Sequence, residues 1–165
     1  NYDRGFNWDT SRGEDRYRRG LYTFFKRTAP HPNLMTLDSP ESNVVCLARN
    51  RSNTPLGALV TLNNEVYVEA SQALARRLLL LSVTDDNDRI ARAWRLCLVR
   101  IPTAVEVQRL QMLLERSRKW YRDRPLEAEQ RVGSYALEGV AMDELAAWVA
   151  VARVILNLDE VTTRD

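Results

Sequence analysis

The stretch Arg49-Asn50-Arg51-Ser52-Asn53-Thr54-Pro55-Leu56 separates a mostly irregular beginning of this 165-residue chain from a helical remainder. Thr54 is predicted to cap a helix, because its hydroxyl can accept a hydrogen bond from a free backbone N–H of the first turn. Pro55 suits the first helical position, because proline has no N–H to leave unpaired there. From Thr54 onward we therefore expect helices.

Helix-start signals recur along the remainder of the chain. Asn63-Asn64 is predicted to end a first short helix and to cap a second one. The acidic run Asp85–Asp88 suits the positive end of another helix dipole. Thr103-Ala104-Val105-Glu106 is a capping box, in which the Thr and Glu side chains cover each other's free N–H groups. Together these signals place several separate helices after Thr54.

The last three predicted helices each carry one tryptophan on the apolar face, and we expect all three in the core: Trp94, Trp120 and Trp148. Arg124-Pro125 ends the second of these helices, and a looser segment is expected to follow it. The last helix has its apolar residues on one face, which runs from Leu145 to Leu156. A polar tail, residues 159–165, is predicted after it.

The part before Thr54 is predicted to contain an arm, a helix and a loop. Residues 1–14 are expected to form an extended arm that packs onto the body of the protein. Residues 15–29 are predicted to form an amphipathic helix that Asp15 caps and Pro30 ends.

Residues 30–53 are predicted to form a long loop, in which Val44–Leu47 is compatible with one short buried strand. Long irregular segments in compact domains are usually functional or packed against something. We therefore predict an all-α fold in a single domain, 1–165. It is an irregular bundle of about five to six helices (residues 54–158 and 15–29) with a long ordered loop and an N-terminal arm.

Composition narrows the classes of function. The 24 basic and 22 acidic residues nearly balance at a net charge of +2, which argues against nucleic acid as a partner, because it requires a concentrated positive field. No apolar run approaches the ~20 residues that a membrane span needs. Cys46 and Cys97 lack a Cys-x-x-Cys spacing, which excludes a zinc ribbon and a covalent c-type haem site in this chain. A disulfide between them is possible, but we favour a buried free thiol at Cys97, which lies on an apolar helix stripe.

No residue pattern points to a particular reaction. His31 is the single histidine, and no neighbour in the sequence supplies the partner that a catalytic base needs. The acidic run Asp85–Asp88 lacks the glycine and the distal Glu of an EF-hand loop, and helix capping explains it more simply. We therefore predict no catalytic residue and no metal ligand.

The polar stretch before the proline is the best candidate for a site. One interpretation is a surface that binds a partner loop, a carboxylate or a sugar through Arg49, Arg51, Asn53 and Thr54, with His31 as a further candidate. The other, which we favour, is an internal network of hydrogen bonds that fastens the long loop to the helix start. Asn and Ser near helix starts usually bond backbone groups, which is the reason for this preference.

Several segments of the chain resemble the signature motifs of one protein family. The segments are Arg18-Arg19-Gly20-Leu21-Tyr22-Thr23-Phe24-Phe25-Lys26-Arg27-Thr28, then Cys46–Arg49, Asn53–Leu56, Ala58–Leu59 and Leu62–Asn63, and finally Leu156-Asn157-Leu158-Asp159-Glu160. They look like the motifs RR-x-[IL]-Y-T-[FL]-[WF]-[KR]-R-T, C…R…TNTPLQAL…LN and LLNLNEF of the planctomycete C-terminal domain of unknown function. Gly57 stands where that family usually has Gln, which removes a long amide beside the polar stretch.

The resemblance implies a location outside the cytoplasm and a longer exported protein of which this chain, beginning at Asn1 without Met, is the C-terminal portion. It also implies a neighbouring c-type cytochrome domain that carries haem, with no cofactor in this chain itself. The resemblance carries no activity, so no catalytic residue follows from it.

Two hypotheses for function follow. The first is a non-catalytic structural or protein-interaction module, in which the arginines of residues 18–27 meet an acidic protein partner. The alternative is part of an enzyme or glycan-binding protein in polysaccharide breakdown outside the cytoplasm. That alternative requires a cleft in which three residues gather: His31, Asp38 and Arg51.

Overall fold

The computed structural model describes residues 8–40, 44–48, 52–83 and 85–163. The chain divides into an N-terminal unit, Asn1–Val60, and a C-terminal unit, Thr61–Asp165, where its length alone predicts a single domain. The fold is all-α, as predicted, and the described ranges contain no β-strand. Their α-helices are α1 (Pro32–Thr36), α2 (Pro55–Asn63), α3 (Glu65–Leu79), α4 (Asp86–Leu98), α5 (Ala104–Arg122), α6 (Pro125–Val132), α7 (Met142–Leu156) and α8 (Asp159–Thr162).

Helix α7 is the centre of the C-terminal unit and packs against α3, α4, α5 and α6. All five residues from Leu145 to Val149 are buried. Since each helical residue turns ~100° from the last, a buried run of this length covers every side of the helix. The prediction of a single apolar face was therefore too narrow. Within this run Ala146 and Ala147 are completely buried, and so is Val151 beyond it, as expected of a helix inside a bundle.

The surrounding helices each contribute one apolar face to the same core. The buried residues of these faces are Ala75 and Leu78 of α3, Ile90, Ala93 and Trp94 of α4, Leu110, Leu114 and Tyr121 of α5, and Ala128 and Val132 of α6. This arrangement places amphipathic helices around one apolar helix, which is a stable solution for a helical bundle.

Trp94 and Trp148 are buried, as predicted, whereas the expectation of a buried Trp120 is wrong. Trp120 is 50% exposed, and its neighbour Tyr121 occupies the core position. Helix α5 contributes only one face to the core, and adjacent helical residues point ~100° apart, so Tyr121 faces the core while Trp120 points away from it. Trp120 instead lies on the surface, where the Arg124 guanidinium carbon is 3.6 Å from its ring centroid and Glu127 accepts its N–H at 3.0 Å.

The helix caps agree with the sequence. Asn64 accepts a hydrogen bond from a first-turn N–H of α3 at 3.0 Å, and Asp85 does the same for α4 at 3.1 Å. Thr103 and Glu106 form the complete capping box at the start of α5, with the Thr103 N–H 2.7 Å from the Glu106 carboxylate. These are local interactions between residues close in sequence, which is why sequence alone predicts them.

The looser segment predicted after Arg124-Pro125 is wrong, because this segment contains helix α6. Pro125 does not prevent a new helix, since it occupies the first position, where proline is favoured. Gly133 ends α6 with a φ of 58°, a left-handed conformation that glycine adopts without steric cost. The predicted polar tail also contains a short helix, α8.

The helix predicted over residues 15–29 is wrong as well. The structure has two short 3₁₀ turns there, Gly13–Tyr17 and Gly20–Tyr22, separated by extended backbone. Short amphipathic helices in proteins depend on packing of the apolar face. In this segment Leu21 and Phe24 of that face are exposed, and a glycine inside the segment weakens a helix by a further ~1 kcal/mol.

Within the predicted loop of residues 30–53, the structure differs from expectation at two places. Residues Pro32–Thr36 form helix α1, which again begins at a proline. The residues Val44–Leu47 are exposed and do not form the buried strand considered from sequence. The rest of the described loop is irregular, as predicted.

Arg100 joins the start of α5 to helix α8. Its guanidinium donates to Glu106 at 2.8 and 3.0 Å and to Glu160 at 2.8 and 2.8 Å, and it stacks over the Trp94 ring. The hydrogen bonds from Arg100 and from the Thr103 backbone lower the pKa of Glu106 to about 2.

We expect this capping carboxylate to make stability depend on pH. Because the folded state holds the Glu106 pKa at about 2, its contribution is fully present above the unfolded pKa of ~4.3 and is lost as the pH falls towards 2. Glu106→Gln should lower the free energy of unfolding by about 1 kcal/mol at pH 7. In urea titrations this difference should vanish near pH 2, and Glu115→Gln on the exposed side of α5 should show no such trend.

Trp148 is completely buried and Trp120 is half exposed, so substitutions at these two residues test which of them lies in the core. Trp148→Ala should lower the free energy of unfolding by about 3–5 kcal/mol, since it removes a completely buried ring and leaves a cavity. Trp120→Ala should cost about 1 kcal/mol, because it removes only a surface cation–π contact and one hydrogen bond. Equal losses in urea unfolding would contradict the position of α7 at the centre of the core.

Candidate functional site

The predicted polar site lies in the N-terminal unit, and the structure describes it only from Ser52 onward. Arg49 and Arg51 lie outside the described residues, so their roles stay predictions. Asn53 is exposed. Thr54 caps α2 as predicted, with its hydroxyl oxygen accepting the Gly57 N–H at 3.0 Å. The helix start at this stretch is therefore confirmed.

Asp38 and Ser52 close the base of the loop between them. The Asp38 carboxylate accepts the Ser52 backbone N–H at 2.7 Å and the Ser52 hydroxyl at 2.8 Å. Asp38 has a φ of 56°, a left-handed conformation that Asp tolerates better than most residues. This interaction joins residues 14 apart, whereas the predicted fastening of the loop through Arg49 and Arg51 stays a prediction. Sequence analysis placed Asp38 in a possible cleft with His31 and Arg51 and did not predict its contact with Ser52.

His31 belongs to an aromatic cluster in the same unit. Its ring centroid is 4.9 Å from that of Trp8, whose own N–H donates to the Ala29 carbonyl at 3.0 Å, and Phe24 is the third member of the cluster. The Nδ1 atom of His31 is excluded from solvent and has no hydrogen-bond partner among the described residues. The described Asp38 contacts go to Ser52, so no His31–Asp38 hydrogen bond forms that would orient a catalytic base.

The N-terminal unit exposes a large number of apolar side chains, which we call the apolar surface of this unit. Its members are Tyr17, Leu21, Tyr22, Phe24, Met35, Val44, Val45, Leu47, Leu56 and Leu59. Among the described residues of this unit, none is as fully shielded from solvent as the core residues of the C-terminal unit. The unit therefore gains little stability from its own hydrophobic burial.

Basic side chains lie within the same segment. Arg18 forms an exposed ion pair with Asp15 at 2.7 Å, and the Arg19 guanidinium lies 5.6 Å from the Tyr22 ring centroid. Arg27 is also exposed. The apolar surface thus carries positive charges among its members.

A cluster of charges centred on Arg118 stabilises the packing of the C-terminal unit. Arg118 donates to Glu144 at 2.6 and 2.6 Å and to Asp86 at 2.7 and 3.2 Å, and these bonds raise the pKa of its guanidinium. Glu144 also accepts the Trp148 N–H at 2.9 Å, and the Arg89 guanidinium stacks on that indole ring. These residues connect α4, α5 and α7.

The described part of the chain contains few residues that could bind a cofactor or take part in redox chemistry. No three His, Cys, Asp or Glu side chains among those residues are grouped so that they can hold a metal ion. Cys46 is exposed and Cys97 is half-buried, and both are free thiols. Burial raises the pKa of Cys97, which makes its thiol less reactive. None of the described helices is long and apolar enough to cross a membrane.

We expect Asp38→Asn to open the base of the loop. The substitution removes a charge-assisted acceptor for Ser52 but keeps a residue that tolerates the left-handed backbone. The loss of ~1 kcal/mol corresponds to about fivefold faster hydrogen exchange of the Ser52 backbone N–H, whose acceptor in the unchanged protein is Asp38. Asp9→Asn, at an exposed carboxylate, is the control, and equal exchange rates in the two variants would contradict this role of Asp38.

Comparisons with known proteins identify a family but no activity. The model of the family PSD1, described as a protein of unknown function (DUF1553), matches residues 1–114. The match includes the N-terminal unit and ends within α5. No curated protein and no solved structure matches the chain. Because the match covers more than half of the sequence, the chain belongs to the PSD1 family of proteins of unknown function (DUF1553).

Proposed function

We propose that this chain is a non-catalytic protein-interaction module, and that the apolar surface of the N-terminal unit binds the partner. One observation carries the proposal. Large apolar side chains such as Leu21 (83% exposed) and Leu47 (97% exposed) face solvent in the unit that has no buried residue in its described part. Monomeric proteins rarely expose large contiguous apolar patches without a binding role.

The energetic argument follows from the size of these side chains. Burying the side chain of a Leu or Phe contributes about 1.5–3 kcal/mol, and several of them lie in this one segment. A partner that covers them supplies the hydrophobic burial that the unit lacks internally. The Asp38–Ser52 interaction and the Thr54 cap hold the described loop and helix start in one arrangement, which lowers the entropy cost of binding.

The charges within the surface specify the chemistry of the partner. Arg19 and Arg27 are exposed, and arginine is the basic residue best suited to bidentate contacts with carboxylates. The partner is therefore a protein whose apolar patch is bordered by Asp or Glu side chains. The net charge of +2 argues against a nucleic acid in this role.

The cellular setting in this proposal comes from the family resemblance of residues 18–28 and 53–56. On that basis we propose that the protein lies outside the cytoplasm of a planctomycete, within a polypeptide that also carries a haem-binding cytochrome domain. An interaction module suits such an arrangement, because it would hold the cytochrome-bearing protein to its partner. The haem would lie in the neighbouring domain, and this chain would supply no ligand to it.

A glycan is the alternative occupant of the surface. Tyr17 and Tyr22 are exposed, and each has a guanidinium close to its ring. Aromatic rings of this kind can stack on sugars. This alternative keeps the same surface but assigns the protein to polysaccharide breakdown outside the cytoplasm.

Site-specific photocrosslinking in the full-length protein, in its native cells, tests the proposal. A benzophenone side chain at Leu21 should give an adduct with one protein, whereas the same group at Leu126, a leucine of similar exposure in the C-terminal unit, should give little. Arg19→Glu should lower the adduct yield about fivefold, because it repels an acidic partner.

The possible outcomes separate the two occupants. Equal yields at the two positions, or no effect of Arg19→Glu, would contradict a protein partner at this surface. Loss of the Leu21 adduct on addition of soluble oligosaccharides would favour the glycan instead.

A further inference from the structure

Arg153 of α7 is a half-buried guanidinium without a carboxylate partner. Its Nη2 donates to the Leu62 carbonyl at 2.5 Å, whereas its Nε is excluded from solvent and has no acceptor in the described ranges. Buried charges are expensive unless they are paired. Two other half-buried arginines of this unit follow that rule, since Arg118 has two carboxylate partners and Arg89 has one.

A second guanidinium, that of Arg131 in α6, lies within electrostatic range of Arg153. Its Nε donates to the Tyr121 hydroxyl at 3.0 Å, and its backbone carbonyl accepts the Gln72 side-chain N–H at 2.9 Å. Burial, and then the positive charge of Arg131, lowers the pKa of Arg153. No described Asp or Glu forms an ion pair with either arginine, so two like charges are held near one another without a counter-charge.

Several hydrogen-bond donors of this group are unused in the described structure. The terminal nitrogens of Arg131 and the Nη1 of Arg153 have no described acceptor. The Tyr121 hydroxyl accepts from Arg131 and keeps its own proton to donate. Tyr121 is nearly buried, and the contact between Gln72 and the Arg131 backbone fixes the end of α6, so the donors come from constrained elements.

We propose that Arg131, Arg153 and Tyr121 form a binding site for an oxyanion, either a phosphate or a carboxylate group, that supplies the missing negative charge. Guanidinium groups bind such anions through two parallel hydrogen bonds, and a phenol adds a third donor. The site lies in the C-terminal unit and is independent of the apolar surface described above.

The two arginines differ in the acceptors that the protein itself offers them. Leu62 lies in the last turn of α2, whose free carbonyls carry a partial negative charge that interacts favourably with Arg153. This dipole offers nothing to Arg131, whose Nε contacts a neutral hydroxyl. The requirement for an anion is therefore greatest at Arg131, and that residue is the one to test.

Isothermal titration calorimetry on the complete chain, at low and constant ionic strength, tests the site. Inorganic phosphate and acetate are titrated separately. We expect saturable binding of at least one of them and a loss of about tenfold or more in affinity for Arg131→Gln. Arg109→Gln, which removes an exposed charge on α5, is the matched control and should bind as the unchanged protein does.

Each result supports or overturns the proposal. Binding of phosphate alone, of acetate alone or of both identifies the class of anion. No saturable binding of either, or equal affinity in Arg131→Gln and Arg109→Gln, would overturn the site. If Arg131→Gln does not fold by circular dichroism, Arg131→Lys replaces it, because it keeps the charge and removes the bidentate contact. Unchanged affinity in that variant would likewise count against the proposal.

Discussion

The structure of the C-terminal unit depends on the burial of the middle of α7, Leu145–Val149, on every side. A helix without a polar face cannot lie on a surface, so the neighbouring helices must surround it with their apolar faces. Its ends still carry polar groups, and these decide how the core meets solvent. Near the start, Glu144 accepts from Arg118 and from the Trp148 indole. Near the end, Arg153 donates to the Leu62 carbonyl.

The N-terminal unit is stabilised by a different set of interactions. Its described residues have no buried core, and short hydrogen bonds such as Asp38–Ser52 and Trp8–Ala29 define its local structure. Hydrogen bonds of this kind order a backbone but contribute only about 1 kcal/mol each. Large apolar side chains of the unit such as Leu21 and Leu47 therefore stay exposed. This contrast between the two units is the physical basis of the proposed binding role.

Much of the helical architecture was predictable, and the candidate site was predictable in part. Caps such as Thr54 and Asp85 involve residues three positions apart, and the sequence therefore contains all the information about them. Asp38 and Ser52, and likewise Arg131 and Arg153, interact although they lie far apart in the sequence. No periodic pattern encodes such contacts, which is why sequence reasoning did not find them.

The sequence by itself determined the all-α class, the helix starts and the absence of strong net charge, because caps, periodicity and composition are local or additive properties. The tertiary structure decided which apolar faces are buried. It buried the middle of α7, Leu145–Val149, on all sides, placed Tyr121 rather than Trp120 in the core, and left residues 15–29 without an α-helix. Burial depends on which other segments pack against a given segment, and the sequence of that segment alone does not specify them.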